Sequence, residues 1–91
     1  MSETAELHEH RIKRLQMRSM RRGIKEMDLI LSAYATARLP AMDDAGLTLY
    51  DRMLNENDHD LYLWVSGQAE APEPYADLIA DIRSQVAEMR G

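Results

Sequence analysis

Apolar residues recur every three or four positions along most of this chain, and this spacing limits its fold more than any other feature. After Gly23 the repeating residues are Ile24, Met27, Ile30, Leu31, Tyr34 and Ala37. Such a period gathers apolar side chains on one side of an α-helix, whereas a half-buried strand needs strict alternation. No strand-like alternation occurs in the 91 residues. The sequence therefore predicts an all-α fold.

The first half of the chain predicts two helices that meet at a glycine. The first covers residues 6–20, where the apolar repeat is loose and most other positions are charged, so we expect a short, marginal helix. Gly23 interrupts the pattern, and a second, amphipathic helix follows it. Pro40 ends that helix, because proline lacks the backbone N–H that a continuing helix needs.

Two more helices are predicted from their capping residues. The third begins at Asp43 and Asp44, because a carboxylate accepts hydrogen bonds from the free amides of a helix start and favours the positive end of its dipole. Asp58 or His59 caps a short fourth helix. Gly67 ends the fourth helix, since glycine suits the left-handed position just after a helix.

The remaining segments complete the architecture. Residues 68–74 contain two prolines and no apolar period, so they predict a linker, and a fifth helix begins at Tyr75. Five helices with short connections predict a compact five-helix antiparallel bundle. We assign residues 10–91 to one helical domain and residues 1–9 to a flexible N-terminus.

Composition limits the cellular compartments in which the protein is expected. The chain has no cysteine, so it has neither disulfides nor thiolate metal ligands. No apolar run approaches the length of a membrane span, and the first twenty residues lack the apolar core of a secretory signal. Three glutamates among the first ten residues are atypical of a mitochondrial transit peptide. We therefore expect a protein of the bacterial cytoplasm without stable membrane insertion, or of the mitochondrial matrix if the source is eukaryotic.

Charge is divided unevenly along the chain. Residues 1–25 carry seven basic and three acidic side chains, whereas residues 26–91 carry four basic and thirteen acidic ones. The basic residues are Arg11, Lys13, Arg14, Arg18, Arg21, Arg22 and Lys25. Such a segment attracts nucleic acid, an anionic membrane or an acidic protein, or it pairs with the acidic remainder of the same domain. Charge alone leaves these alternatives open.

The sequence offers no catalytic, cofactor or metal constellation. The four glycines are too far apart for a phosphate-binding loop. His8 and His10 are two residues apart and so do not share a helix face, and His59 lies far along the chain. No serine has an evident histidine and carboxylate arrangement. We therefore predict a binding protein that is not an enzyme and has no cofactor of its own.

The unusual segment is Arg21-Arg22-Gly23-Ile24-Lys25-Glu26-Met27-Asp28. Glu26 and Asp28 are expected near a helix start, where acids favour the dipole. Arg22 is not expected there, because a cation beside a helix N-terminus opposes the dipole. An exposed arginine with a nearby glutamate is a good docking device, since arginine offers a planar fork of donors. We predict that Arg22, Gly23, Glu26 and Asp28 bind a partner.

These residues resemble a known family. Arg22-Gly23-x-x-Glu26-x-Asp28 before an amphipathic helix resembles the RGxxE signature of the succinate dehydrogenase flavinylation factors, the SdhE-type family. Further along, Leu54 near a turn, then Asp58-x-Asp60-Leu61-Tyr62-x-Trp64 and Gly67, resemble that family's acidic turn, aromatic run and closing glycine. The similarity covers about residues 10–90.

The resemblance implies an assembly factor, or chaperone, for a flavoprotein. Members of this family bind the flavoprotein subunit of succinate dehydrogenase, and in some bacteria fumarate reductase, and promote covalent attachment of FAD to a histidine of that subunit. The FAD and the nucleophile then belong to the partner. By the family pattern Arg22, Gly23 and Glu26 lie in the interface with Asp28 beside them, and Gly23 lets the partner's backbone approach closely.

Two other classes fit parts of the sequence. A general helical adaptor for protein–protein interaction accounts for the same apolar periods. A nucleic-acid-binding helical domain would use the basic stretch 11–25, but the acidic remainder of a chain with pI ≈ 5.1 repels phosphate. Flavinylation of a partner separates the flavinylation factor from both alternatives.

Overall fold

The structure is a computed structural model that describes the backbone of residues 3–20 and 22–90 and the side chains of residues 8–20 and 22–88. Within these ranges the chain forms five α-helices and no strand: α1 (Glu3–Arg18), α2 (Lys25–Arg38), α3 (Asp44–Leu54), α4 (Asp58–Val65) and α5 (Ala76–Arg90). Short 3-10 turns at Leu39–Ala41 and Glu73–Tyr75 precede α3 and α5. The predicted all-α fold with five helices is confirmed. Arg21, one of the predicted basic residues, lies outside the described residues.

The helix ends agree with the predicted caps in two places. Asp43 caps α3, because its carboxylate accepts from the backbone N–H of Gly46 at 2.8 Å. Gly67 follows α4 with φ of 82°, the left-handed conformation that glycine adopts without strain. Pro40 lies in the 3-10 turn just beyond the last residue of α2, where its missing N–H breaks no helical hydrogen bond.

Two predicted boundaries are wrong. The first helix begins at Glu3 and ends at Arg18, so both of its ends lie nearer the N-terminus than the predicted range 6–20, and its 16 residues form a regular helix where a short, marginal one was expected. Its backbone includes part of residues 1–9, whose flexibility stays a prediction. The fourth helix is capped by Asn57, whose side-chain oxygen accepts from His59 N–H at 2.8 Å. Asp58 is thus the first helical residue, and its carboxylate is available for a distant contact.

Side-chain contacts show how the helices run. Gln16 donates to the carbonyl of Ala35, and further along α1 the carbonyl of Ser19 accepts from Ser32, so α1 and α2 are antiparallel. Helices α1 and α3 run parallel, with Arg11 beside Thr48 at one end and Arg18 beside Asn55 at the other. Helices α2 and α5 also run in the same direction, because Tyr34 contacts Asp81 and, further along both helices, Arg38 contacts Gln85. The antiparallel prediction therefore holds for the consecutive helices α1 and α2, whereas the pairs α1–α3 and α2–α5 are parallel.

One apolar core joins all five helices. Its fully or almost fully buried members are Leu15, Met27, Leu31, Tyr34, Ala35, Leu39, Leu47, Tyr50, Met53, Leu54, Leu61, Val65, Tyr75, Leu78, Ile79 and Ile82. Trp64 is only partly buried and packs beside Tyr75, with ring centroids 6.1 Å apart. Burial of these side chains is the main source of stability in a domain of this size.

Hydroxyl groups and aromatic rings connect four helices through the core. Ser19 donates its one hydroxyl proton to the carbonyl of Leu15 at 2.8 Å, so the hydroxyl of Tyr50 must donate to Ser19 Oγ across 2.6 Å. The Tyr50 ring stacks on Tyr34 at a centroid distance of 5.9 Å. Tyr34 in turn donates to Asp81 Oδ2 of α5 at 2.6 Å. This chain of contacts fixes the relative positions of α1, α3, α2 and α5.

Removing one partner of the Ser19–Tyr50 hydrogen bond should destabilise the fold more than removing both. Ser19→Ala leaves the Tyr50 hydroxyl buried without a partner, which costs about 1–3 kcal/mol. We expect Ser19→Ala/Tyr50→Phe to recover part of that loss, because no buried hydroxyl is then unsatisfied. Urea unfolding of the four proteins in the double-mutant cycle measures this. Strictly additive losses would show that the hydrogen bond does not couple the two helices.

Stability should fall at alkaline pH because of Tyr50. Burial raises the pKa of Tyr50 from 10.0 to about 12. The folded state therefore favours the neutral phenol, whose contribution to the free energy of unfolding is complete below pH 10 and is lost as pH rises from 10 to 12. Urea unfolding at pH 8, 10 and 11 should show this decline, and Tyr50→Phe should show a smaller one. Equal declines in both proteins would contradict the assignment to Tyr50.

Candidate functional site

Arg22 is the centre of a set of polar contacts between helix ends. Its Nε and Nη2 atoms lie 2.7 and 2.6 Å from Asp58 Oδ1. Nη2 also donates to the carbonyl of Leu54 at 3.1 Å, and Nη1 to the carbonyl of Arg18 at 3.4 Å. Only 13% of the Arg22 side chain and 21% of the Asp58 side chain are exposed. We call Arg22, Gly23 and Asp58 the RG–Asp clamp.

The position of Arg22 satisfies helix electrostatics, although the sequence indicated the opposite. Arg18 and Leu54 are the last residues of α1 and α3, and Asp58 is the first residue of α4. The guanidinium therefore meets the negative ends of two helices, and the carboxylate meets the positive end of a third. Arg22 is thus an internal connector, and the predicted exposed arginine is not found.

Gly23 belongs to the same clamp through its backbone. Its N–H donates to Asp58 Oδ2 at 2.6 Å, so one carboxylate binds both consecutive residues of the Arg-Gly pair. A Cβ atom on residue 23 would lie 3.0 Å from Asp58 Oδ2. A side chain at residue 23 would therefore have to displace a carboxylate of the same chain. Close approach of a partner's backbone to Gly23, which the family resemblance implies, stays a prediction.

Glu26 and Asp28 have different surroundings in the first turn of α2. Glu26 is exposed, and its side chain makes no hydrogen bond or ion pair with the residues that the structure describes. Asp28 is half-buried and accepts from the Ser32 hydroxyl at 3.2 Å, and that hydroxyl also faces the carbonyl of Ser19 on α1. Gly23 and Glu26 are both exposed, and Glu26 is the one of the four predicted partner-binding residues whose side chain is presented to solvent. That these residues bind a partner stays a prediction.

Much of the basic stretch pairs with acidic residues of the same domain. Arg18 forms an ion pair with Asp51 and donates to Asn55 Oδ1 at 2.9 Å. Arg11 donates to Thr48 at 2.7 Å and lies 4.0 Å from Asp44. Together with the Arg22–Asp58 pair, these contacts join the basic α1 segment to α3 and α4. Internal pairing therefore accounts for Arg11, Arg18 and Arg22, whereas Lys13, Arg14 and Lys25 are exposed.

A shallow groove of about 480 Å³ lies between the end of α4, the following linker and α5. Trp64 and Ile79 supply apolar walls, and Glu70, Glu73 and Arg83 supply charge of both signs.

Within the described side chains no group of three or more histidine or acidic residues is placed to hold a metal ion. In the same part of the chain no helix is long and apolar enough to cross a membrane.

Sequence reasoning missed the contact between Arg22 and Asp58, although both residues were noticed. Asp58 was interpreted as a helix cap, and Arg22 as an exposed docking group. Two unusual features, taken together, could have indicated this contact. Arg22 is a cation just before a helix start, and Asp58 is not needed as a cap because Asn57 can cap the same helix. Nothing local links them, since 36 residues separate the two side chains.

Comparison with known proteins identifies one family. Residues 13–86 match the model of the Sdh5 family, described as flavinator of succinate dehydrogenase. Curated relatives include proteins named succinate dehydrogenase assembly factor 2, mitochondrial. The Schizosaccharomyces japonicus protein is 36% identical over 80 residues, which cover 86% of this chain and 56% of the relative. The Danio rerio protein is 35% identical over 80 residues, with 86% and 51% covered.

A third relative, from Schizosaccharomyces pombe, is 42% identical over 62 residues, which cover 68% of this chain and 45% of the relative. The chain spans about half the length of the curated relatives that it matches. The matched segments include the RG–Asp clamp, because the family model extends from α1 through most of α5.

Breaking the clamp at Asp58 should destabilise the protein strongly. Asp58→Asn removes the charge that neutralises Arg22, and leaving one partner of a largely buried pair uncompensated costs about 3 kcal/mol. The matched control is Asp60→Asn, since Asp60 is exposed in the first turn of the same helix. Urea unfolding should separate the two variants by at least ~2 kcal/mol. Equal stabilities would show that the clamp is not structurally important.

Gly23→Ala should destabilise the protein less than Asp58→Asn. The new methyl group pushes the Asp58 carboxylate from the Gly23 N–H and weakens a charge-assisted hydrogen bond, a loss of about 1–2 kcal/mol. In the Asp58→Asn background the same change should have a smaller effect, because the charged acceptor is already gone. Urea unfolding of both single variants and the double variant tests this coupling. Additive losses would contradict it.

Proposed function

The chain belongs to the Sdh5 family, the flavinators of succinate dehydrogenase, and we propose that it binds the flavoprotein subunit of succinate dehydrogenase and promotes covalent attachment of FAD to a histidine of that subunit. In bacteria that have the enzyme, the flavoprotein subunit of fumarate reductase is a second client. The observation that carries the proposal is the presentation of Glu26 at a helix start that the RG–Asp clamp holds in place.

Because of the RG–Asp clamp, the residues of the Arg22-Gly23-x-x-Glu26-x-Asp28 motif have different roles. Arg22 and Gly23 position the start of α2 through Asp58, so they act on a partner indirectly. Glu26 reaches the partner directly, where its carboxylate accepts hydrogen bonds from backbone amides or basic side chains. Asp28 lies beside it and helps to fix the contact between α1 and α2 through Ser32.

The factor assists the reaction by orientation. The bond to be formed would join the C8 methyl carbon of the flavin to a histidine nitrogen of the client. One methyl C–H bond and the histidine N–H bond would be broken, and the flavin ring would take up the two electrons and two protons. Attachment requires the two atoms to meet in a near-attack arrangement, which is rarely populated in an immature, mobile subunit. A rigid bundle that binds two parts of the client at once raises that population. The flavin supplies the chemistry when it is bound to the client.

On this account the chain is not an enzyme and holds no flavin of its own. Support comes from the sequence, which lacks a phosphate-binding loop, and from the charges of the described groove, where two glutamates would oppose a flavin pyrophosphate. The protein acts wherever its client matures. The relatives' names place them in mitochondria, which supports the matrix, while the bacterial cytoplasm stays a prediction.

Glu26→Gln should reduce flavinylation without unfolding the protein. Glu26 is exposed, so loss of its charge removes only the small helix-dipole contribution of about 0.3–1 kcal/mol. If Glu26 makes a charge-assisted contact with the client, losing it weakens binding by about 1.5–3 kcal/mol, at least tenfold in affinity. The measurement is in-gel flavin fluorescence of the denatured flavoprotein subunit from cells that lack the factor and are complemented with each variant.

Two controls make this result interpretable. Asp77→Asn removes an exposed acid from the first turn of α5 and should leave flavinylation at the wild-type level. Complementation with the wild-type chain tests the function itself. If flavin fluorescence is the same with and without the wild-type chain, the proposed function is wrong.

A further inference from the structure

Three exposed apolar side chains occur near the junction of α1 and α2. Among the described residues, the large hydrophobic side chains that are exposed are Met17, Met20 and Leu29, with 71%, 47% and 60% of their surface accessible. Single exposed apolar residues are normal, but a group at one place marks an interaction site. We call these three residues the α1–α2 patch.

Backbone geometry brings the three residues onto one face. Met17 is in the last turn of α1, and Met20 follows in the turn just after it. The two are neighbours, because Met20 N–H donates to the Met17 carbonyl at 3.1 Å. Met20 follows Ser19, whose carbonyl accepts from Ser32 at 3.5 Å. Leu29 precedes Ser32 by almost one turn of α2 and points further outward, because Leu31 and Met27 fill the core side. The patch therefore spans the junction of α1 and α2.

Basic residues surround this patch. Lys13 and Arg14 precede Met17 by one turn, and Lys25 precedes Leu29 by one turn, so each lies beside an apolar member. All three cations are exposed, and none forms an ion pair with a described residue, in contrast to Arg11, Arg18 and Arg22. Glu26 lies three residues before Leu29 at the same edge. The chain carries a net charge of -5, so this face has the opposite sign to the protein as a whole.

We infer that the α1–α2 patch is the apolar centre of the surface that binds the flavoprotein subunit, and that the subunit presents apolar side chains ringed by carboxylates to it. The inference rests on the proposed function. Apolar side chains at the centre with charges at the rim are the usual arrangement of a protein interface. Carboxylates are the complement of Lys13, Arg14 and Lys25 and would steer the subunit to this face.

Methionine suits an immature client. Its unbranched side chain adapts to surfaces that are not yet in their final shape.

The RG–Asp clamp contributes to the patch as well, because it fixes the turn between Met20 on one side and Leu29 on the other. Arg22 and Gly23 are thus positioning residues for the patch, and Glu26, beside Leu29, joins it to the motif.

The test is binding of purified wild-type and variant chains to flavoprotein subunit that was produced in cells lacking the factor. Met17→Gln/Leu29→Gln should raise the Kd at least tenfold, because each glutamine places a polar group where an apolar contact is expected. The matched control is Ser84→Gln/Ala87→Gln, two exposed positions on α5, and its Kd should stay within twofold of the wild type. Melting temperatures should show that both double variants are folded.

Charge reversal tests the rim separately. Lys13→Glu/Lys25→Glu should slow association by at least tenfold at low salt and flatten its salt dependence, while dissociation changes less. Interferometry at two ionic strengths measures both rates. Unchanged association would overturn the acidic ring that we assign to the client.

The outcomes distinguish the inference from the proposed function. If the wild-type chain binds the subunit and Met17→Gln/Leu29→Gln binds equally well, the patch is not the docking surface and the proposed function stands. If the wild-type chain neither binds nor promotes flavinylation, the proposed function fails and the inference with it. If sedimentation shows a wild-type dimer that Met17→Gln/Leu29→Gln dissociates, the patch binds a second copy and the inference is wrong.

Discussion

The contact between the Arg22 guanidinium and the Asp58 carboxylate organises this small bundle. It places one cation against the carbonyl ends of α1 and α3 and one anion at the amide end of α4. The same carboxylate holds the backbone at Gly23, just before α2. Four helix ends therefore converge on one charge pair, and each end has a partner of the sign that its dipole requires. An apolar core alone would leave these ends without directional constraint.

Because four helix ends meet at the Arg22–Asp58 pair, the stability of the fold and the proposed function depend on the same contacts. The motif divides into a structural half, Arg22 and Gly23, and an exposed half, Glu26. Substitutions in either half are expected to lower flavinylation for different reasons. A substitution at Arg22 or Gly23 disturbs the start of α2 that presents Glu26. A substitution at Glu26 removes a direct contact with the client. Activity alone does not separate these effects, whereas stability and activity measured together do.

Features with a local cause were predictable from the sequence. The period of α2, the Asp43 cap and the left-handed Gly67 follow from neighbouring residues, and all three are present. Helix α1 is less marginal than its sequence predicts because its polar residues Arg11 and Arg18 gain partners from α3, which a single-helix pattern does not contain. The environment of Arg22 was misjudged for the same reason. In sequence the arginine precedes the start of α2, whereas in the structure it contacts the C-terminal ends of α1 and α3.

The separation of Arg22 from Asp58 along the chain has a kinetic consequence. The two residues are 36 positions apart, so their contact closes a loop that contains α2 and α3. Closing such a loop has an entropy cost that later contacts must offset, and the pair therefore forms after the local helices. During synthesis the Arg-Gly segment emerges first and stays unanchored until α4 has followed it. A newly made chain thus acquires the proposed binding surface only when most of the domain exists.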